Sequence, residues 1–162
     1  MFVNYFYYLC SRTIDNSHNM TESDAYNRLT SCGIKPSVQR LAIMQYLLSH
    51  MTHPTVEEVY QGLIRQIPTL SRTTVYNTLR LFADNNAANM ITIDEHRVCY
   101  DGNINPHVHF YCKCCKTISD IYEGIPVPNN LCASGNQVDD IQIYYKGKCS
   151  SCLLKKEKEP FG

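Results

Sequence analysis

Apolar residues recur at helical spacing as far as Phe82 and then give way to short alternating runs, a change of period from about 3.6 residues to about 2. The pattern predicts a helix capped by Ser23 and running to about Cys32, where Gly33 ends it. A second, capped by Ser37, carries Val38, Leu41, Ala42, Leu47 and Leu48. A third starts at Thr55, with Glu58 completing a capping box and Val56, Val59, Tyr60, Leu63 and Ile64 at helical spacing, and Pro68 closes it. A fourth is capped by Ser71 and aims Val75, Leu79 and Phe82 inward, leaving Arg72, Thr73, Tyr76, Asn77 and Arg80 on other faces.

Met90 to Ile93 and Arg97 to Tyr100, separated by Asp94-Glu95-His96, then read as a two-stranded hairpin. Helices followed by a hairpin outline a winged helix-turn-helix. From Asp101 to Pro106 the chain turns to Asp, Gly, Asn and Pro, the composition of a hinge. Beyond it, Val108 to Tyr111, Thr117 to Ile121 and Ile141 to Tyr145 are strand candidates, with a Pro/Asn/Gly-rich stretch from Pro126 to Asn136 between the last two. The expected fold is therefore α+β in two domains. Residues 21–101 form the winged helix, 102–106 the hinge and 107–153 a small α/β domain, with an aromatic extension at 1–20 and a charged, mobile tail at 154–162.

Composition narrows the function classes. Lys and Arg balance Asp and Glu at 15 each, so bulk charge gives no push towards nucleic acid or an anionic membrane, and any DNA binding must rest on a local arrangement. The apolar run near the N-terminus is too short to span a bilayer and lacks a leading positive charge. Nine cysteines without a secretory signal place the chain in a reducing cytoplasm, with metal ligation favoured over a disulfide scaffold.

Candidate chemistry concentrates after the hinge. Cys112/Cys115 and Cys149/Cys152 form two Cys-x-x-Cys pairs, the spacing that holds a tetrahedral Zn²⁺; four thiolates would close the site and make the ion structural. Two disulfides, or unligated buried thiols, are the alternatives. His107 and His109 alternate on a strand, so both imidazoles face one side, and Asp101 and Asp120 supply oxygen donors nearby. Such a mixed set suits Fe²⁺ or Mn²⁺, but two histidines on one face also occur without any metal. The helix from Ser71 to Arg80 offers Arg, Asn and Tyr, the side chains that read bases in a major groove, or simply a solvated amphipathic face.

His53-Pro-Thr-Val-Glu-Glu-Val-Tyr60, Ser71-Arg-Thr-Thr-Val-Tyr-Asn-Thr-Leu79, Arg97-Val-Cys-Tyr-Asp101 and His107-Val-His109 leading into Cys112-x-x-Cys115 resemble successive signatures of the ferric uptake regulator family. The resemblance covers roughly Glu22 to Cys152. It implies a homodimeric metal-dependent repressor of iron-homeostasis genes that is not an enzyme, with a DNA-reading winged helix and a C-terminal dimerisation domain bearing the zinc. It also gives His53 a role, as a ligand joining Asp101, His107, His109 and Asp120 around a regulatory ion between the domains. Operator contacts carried over from the family are Tyr76 and Asn77 at bases, Arg72, Thr74 and Arg80 near phosphates or base edges, and Lys35 and Arg40 on the backbone or minor groove.

Within the family, Asp101, Asp120 and the Tyr76-Asn77 pair are similar to the peroxide-sensing branch, in which Fe²⁺ and hydrogen peroxide oxidise a ligating histidine, here His53 or His107. Zinc- or haem-responsive members are further alternatives. Iron-sensing members usually carry Glu at the last ligand position and a His-rich run, which Pro106 interrupts here. The aromatic extension and the weak helical pattern from Pro126 to Asp140 also depart from the family. Two rivals from other classes remain: a zinc hydrolase using His107, His109 and Asp101, and a zinc-stapled protein-interaction module.

Overall fold

The computed structural model describes residues 22–94, 97–123 and 141–156. Four helices come first: α1 (Glu22–Ser31), α2 (Val38–Ser49), α3 (Val56–Leu63) and α4 (Arg72–Asp84). Strands β1 (Asn89–Asp94) and β2 (Arg97–Asp101) follow as an antiparallel hairpin. Then β3 (Val108–Cys112), β4 (Ile118–Ile121) and β5 (Tyr144–Gly147) form a sheet in the order β4-β3-β5, with β4 antiparallel and β5 parallel to β3. Helix α5 (Ser150–Lys156) closes the described chain.

Local chemistry fixes the helix starts. Ser37 accepts from the Arg40 amide and Ser71 from the Thr74 amide, while Thr55 and Glu58 exchange both bonds of a capping box, each satisfying amides that a helix N-terminus leaves without partners. Gly33 ends α1 at φ +71°, the left-handed conformation that costs glycine least. One apolar core gathers Ala25 and Leu29 of α1, Ile43, Met44 and Leu47 of α2, Val59 of α3, and Val75, Leu79 and Phe82 of α4, with Tyr100 of β2 fully enclosed beside them. Each Val, Leu, Ile, Met or Phe among them contributes on the order of 1.5–3 kcal/mol by leaving water.

A second, smaller core joins the hairpin to the three-stranded sheet. Ile91, Ile93 and Cys99 bury against Tyr111 of β3, and Ile118 and Tyr144 pack on the same cluster. Arg97 donates to the Lys116 carbonyl at 2.6 Å, fastening the same two elements. The connecting residues are pinned as well. Arg28 reaches from α1 to the Ala87 and Gly102 carbonyls at 3.1 and 2.9 Å. A Cβ on Gly102 would come within 3.0 Å of the Leu47 backbone carbonyl, so only glycine lets the chain pass that close to α2.

Several boundaries differ from the sequence expectation. Helix α1 already includes Glu22, so Ser23 lies inside it rather than capping it. Asp101 is the last residue of β2 rather than part of the hinge, and His107 precedes β3. The third strand of the sheet starts at Tyr144, not Ile141, because its pairing with β3 begins where Tyr144 meets His109. Helix α5 was not expected. Cys149 immediately precedes it and Cys152 lies on its first turn, and it extends to Lys156, into the part of the tail expected to be mobile. The aromatic extension, the Pro126–Asn136 stretch, the hairpin turn at Glu95 and His96, and the chain after Lys156 lie outside the described residues.

Candidate metal centres and nucleic-acid interface

The first donor cluster grows from the end of the three-stranded sheet. Cys112 ends β3, Cys115 follows in the turn to β4, Cys149 immediately precedes α5 and Cys152 lies in its first turn. Backbone bonds set this arrangement: Lys113 donates to the Gly147 carbonyl at 2.7 Å, and Lys116 to the Cys112 carbonyl at 2.8 Å. The four sulfurs all lie within 4.8 Å of one another, and Cys115 Sγ stands 3.7 Å from Cys149 Sγ. That separation is far beyond the roughly 2.05 Å of a disulfide, while four sulfurs about 2.3 Å from a tetrahedral Zn²⁺ stand about 3.8 Å apart. Amide donors from Cys115 and Cys149 lower the Cys112 pKa to about 6 and Thr117 lowers that of Cys115, while the neighbouring Cys149 and Cys115 sulfurs push Cys152 well above the ordinary thiol range, the mutual repulsion of crowded sulfurs that a bound cation relieves. Cys114, inside the turn, is exposed.

The second cluster is assembled from separate segments. His53 lies in the loop after α2, Asp101 ends β2, His107 and His109 flank the start of β3, and Asp120 lies on β4. One ligand atom from each falls within 4.8 Å of all the others. Pairing in the sheet places His109 opposite Asp120, and the Tyr100 amide donates to the Pro54 carbonyl at 2.9 Å, holding the His53 loop against β2. His53 is buried and takes φ +53°, a left-handed conformation that a non-glycine residue holds only when its surroundings enforce it.

Distances within this cluster are those of ligand atoms around one centre. His53 Nε2 is 2.8 Å from Asp120 Oδ1, His107 Nε2 is 3.0 Å from Asp101 Oδ2, and the two Nε2 atoms of His107 and His109 are 2.9 Å apart. Ligands about 2.1 Å from a divalent ion place neighbouring donors about 3 Å apart and opposed ones about 4.2 Å apart. Asp101 Oδ2, Asp120 Oδ1 and His53 Nε2 are buried without a hydrogen-bond partner despite these approaches, which is costly for polar atoms unless something else satisfies them. The residues present therefore fit a divalent cation.

Electrostatics point the same way. Burial pulls His107 down, but Asp101, Asp120 and the Asn105 carbonyl outweigh it and hold its pKa at about 10. Burial raises Asp120, yet His107 and His53 beside it drive its carboxyl well below the ordinary range; Asp101 is lowered too, with His107 and His109 overcoming its burial. Such a pocket rewards positive charge.

An outer ring of bonds was not anticipated from the sequence. His107 Nδ1 contacts the Asn105 carbonyl at 2.7 Å, turning Nε2 inward. Asp101 Oδ1 accepts from the Asn103 amide at 2.8 Å, and Asp120 Oδ2 from the Tyr122 hydroxyl at 2.9 Å. The signal available was the run Asp101-Gly-Asn-Ile-Asn-Pro106, whose Asp and Asn bond forward to backbone amides as Asx turns do; its composition alone reads as a hinge.

Helix α4 buries Val75, Thr78, Leu79 and Phe82 and exposes Arg72, Tyr76, Asn77 and Arg80 on its other side, with Tyr76 46% accessible. Thr74 is half-buried and its hydroxyl contacts Ser71 at 2.9 Å. The guanidiniums are already engaged: Arg72 bonds Glu57 at 2.6 and 2.9 Å and lies over the Tyr60 ring, Arg80 Nε is 3.9 Å from Asp84, and Arg40 donates to the Lys35 carbonyl. Lys35 is exposed just before α2, on a different element from the α4 set.

A winged helix-turn-helix sharing a buried His/carboxylate donor set with a cysteine-clustered sheet defines a metal-dependent DNA-binding regulator. Comparison with known proteins supplies the family. Residues 31–145 match the ferric uptake regulator family, and the chain belongs to it. Over 143 residues it is 33% identical to the peroxide-responsive repressor PerR of Staphylococcus aureus, covering 85% of this chain and 94% of that protein. In fold it is similar to the ferric uptake regulator of Helicobacter pylori, at a TM-score of 0.62 and 17% identity over 83% of this chain and 95% of that one. The ferric uptake regulator of Francisella tularensis with iron aligns at a TM-score of 0.59 and 24% identity, over 75% of this chain and 96% of that one.

Proposed function

We propose that the chain is a homodimeric transcriptional repressor whose affinity for its DNA operator is set by a divalent ion, Fe²⁺ or Mn²⁺, held by His53, Asp101, His107, His109 and Asp120. Cys112, Cys115, Cys149 and Cys152 hold a structural Zn²⁺. The observation that carries this reading is the origin of the five donors, which come from both sides of the 102–106 connection. A ligand set of that kind makes ion binding a statement about how the winged helix and the sheet domain are related, so the ion shifts the population towards one arrangement. When bound, the ion supplies a fixed positive charge that draws the two carboxylates together. Residues 21–101 read DNA in this scheme through Tyr76 and Asn77 at bases and Arg72, Thr74, Arg80, Lys35 and Arg40 around them, and residues 107–153 dimerise.

Iron supply is the signal that the family's name implies. A second reading, peroxide sensing, is favoured by the paired aspartates and by the 33% identity to a peroxide-responsive repressor; in it a site histidine, His53 or His107, gains an oxygen atom from hydrogen peroxide when iron is bound. One experiment tests the switch and separates the signals. Zinc-loaded protein is used to select binders from a random duplex library with FeCl₂, MnCl₂ or chelator, and the selected DNA is then titrated before and after peroxide. Ion-dependent selection supports the switch, and DNA binding indifferent to ion and to His107→Ala sinks it. Loss of binding with oxygen added to a His53 or His107 peptide, seen by mass spectrometry only with iron, identifies peroxide as the signal.

A further inference from the structure

The two carboxylates of the His/Asp cluster are each held by one oxygen from outside. Asp101 gives Oδ1 to the Asn103 amide, and Asp120 gives Oδ2 to the Tyr122 hydroxyl. Their other oxygens, Asp101 Oδ2 and Asp120 Oδ1, are the buried ones without hydrogen-bond partners. The Tyr122 hydroxyl in turn accepts from the Asn103 side-chain amide at 3.4 Å, while Asn103 Oδ1 accepts from the Asn105 amide and its carbonyl from Asn89 at 2.8 Å. Asn103 thus ties both carboxylates into one outer chain, anchored on β1 of the hairpin.

We propose that the Tyr122 hydroxyl, supported by Asn103, is a positioning group that confines Asp120 to a single ligand oxygen and so decides which divalent ion the cluster prefers. This inference rests on the His/Asp cluster being the regulatory metal site. With both carboxylates limited to one oxygen, the protein offers three nitrogens and two oxygens. Zn²⁺ accepts so few donors readily, whereas Mn²⁺ favours six-coordination rich in oxygen. Freed from Tyr122, Asp120 can turn its second oxygen towards the ion. Tyr122 is 52% exposed and its ring lies 5.7 Å from that of His107, so Tyr122→Phe removes the hydroxyl while keeping the ring.

The test uses the full chain with zinc in the thiolate cluster, titrated with CoCl₂ and, in competition, with MnCl₂ and ZnCl₂. Five-coordinate Co²⁺ absorbs visible light more strongly than six-coordinate Co²⁺. Tyr122→Phe is expected to weaken that absorption and to move the Mn²⁺-to-Zn²⁺ affinity ratio towards Mn²⁺ by about 10-fold, the scale of outer-ligand substitutions. Asn103→Ala keeps the backbone amide on Asp101 but removes the support of Tyr122, and is expected to move both readouts the same way by less. An unchanged Co²⁺ spectrum with equal loss of affinity for every ion would make Tyr122 a structural residue only and overturn the proposal. Wild-type protein that takes up no Co²⁺ beyond the thiolate cluster would overturn the metal-site reading beneath it, an outcome separable from failure of Tyr122 alone.

Discussion

Two donor clusters lie at opposite ends of β3, and they differ in where their ligands come from. The thiolate cluster draws Cys112, Cys115, Cys149 and Cys152 from one sheet and the helix attached to it, with the Cys149 amide donating to Cys112 Sγ at 3.3 Å. The His/Asp cluster takes His53 and Asp101 from the helical half and its hairpin, and His107, His109 and Asp120 from the sheet half. An ion in the first cluster stabilises one unit against unfolding, because its ligands come together only when that unit is folded. In the second, on the proposed reading, it would stabilise the relation between the helical half and the sheet. Donor type follows the same division: four soft thiolates make a closed, inert site, and mixed nitrogen and oxygen donors make an exchangeable one.

The largest effect should follow from breaking the staple. Cys149→Ser removes one of four thiolates from a small sheet whose own core is slight, and structural Zn²⁺ in comparable small domains is worth about 10 kcal/mol or more. Loss of bound zinc and of the cooperative melting of the sheet domain, followed by metal analysis and circular dichroism, is the expected result. Zinc retained with an unchanged melting temperature would mean that these thiols are not the site.

His107→Ala should cost much less stability and change more function. The variant is expected to keep its zinc and its melting behaviour while losing the gain in DNA affinity on adding Mn²⁺, a coupling that runs between about 5- and 150-fold in ordinary allosteric systems. If it unfolded the sheet instead, the second cluster would be a staple as well and the contrast would collapse. Smaller still is Asp120→Glu, which extends the carboxylate past the point where Tyr122 meets it. DNA binding should persist. Loss of peroxide release with repression intact would support peroxide as the signal, and an unchanged response would argue against it.

The same division explains what the sequence could and could not disclose. Cys-x-x-Cys pairs are local, so the cysteine cluster is legible from spacing, and helix caps such as Thr55 with Glu58 are legible because their bonds span only a few residues. The two-residue spacing of His107 and His109 does bring their Nε2 atoms together, although His107 precedes β3 rather than lying on it. His53, however, reaches its partners only through tertiary packing, which includes Tyr100 fixing the Pro54 loop and Gly102 passing against Leu47. Only the family resemblance could assign it. Nor could any periodicity show that Ile91, Ile93 and Cys99 dock the hairpin on Tyr111, or that Tyr122 lies over Asp120, since both depend on how separate sheets meet. Helix α5 was missed because its seven residues are too few to display a period.

The smallest expected effect sharpens the contrast most. Thr117 Oγ1 contacts Cys115 Sγ at 2.8 Å and is the main cause of that thiol's lowered pKa, so Thr117→Val takes an outer hydrogen bond from the staple as Tyr122→Phe takes one from the other cluster. Zinc should leave faster to a competing chelator, by up to about 10-fold, measured by the colour of a zinc-binding dye. Ion-dependent DNA binding should not move, because all four thiolates remain and the contact from this turn to the hairpin, Arg97 on the Lys116 carbonyl, does not use the Thr117 hydroxyl. Strand β3 nonetheless runs from His109 directly to Cys112. Were Thr117→Val to shift the Mn²⁺ dependence of DNA binding, β3 would be transmitting strain from one cluster to the other, and staple and switch would be two ends of one device.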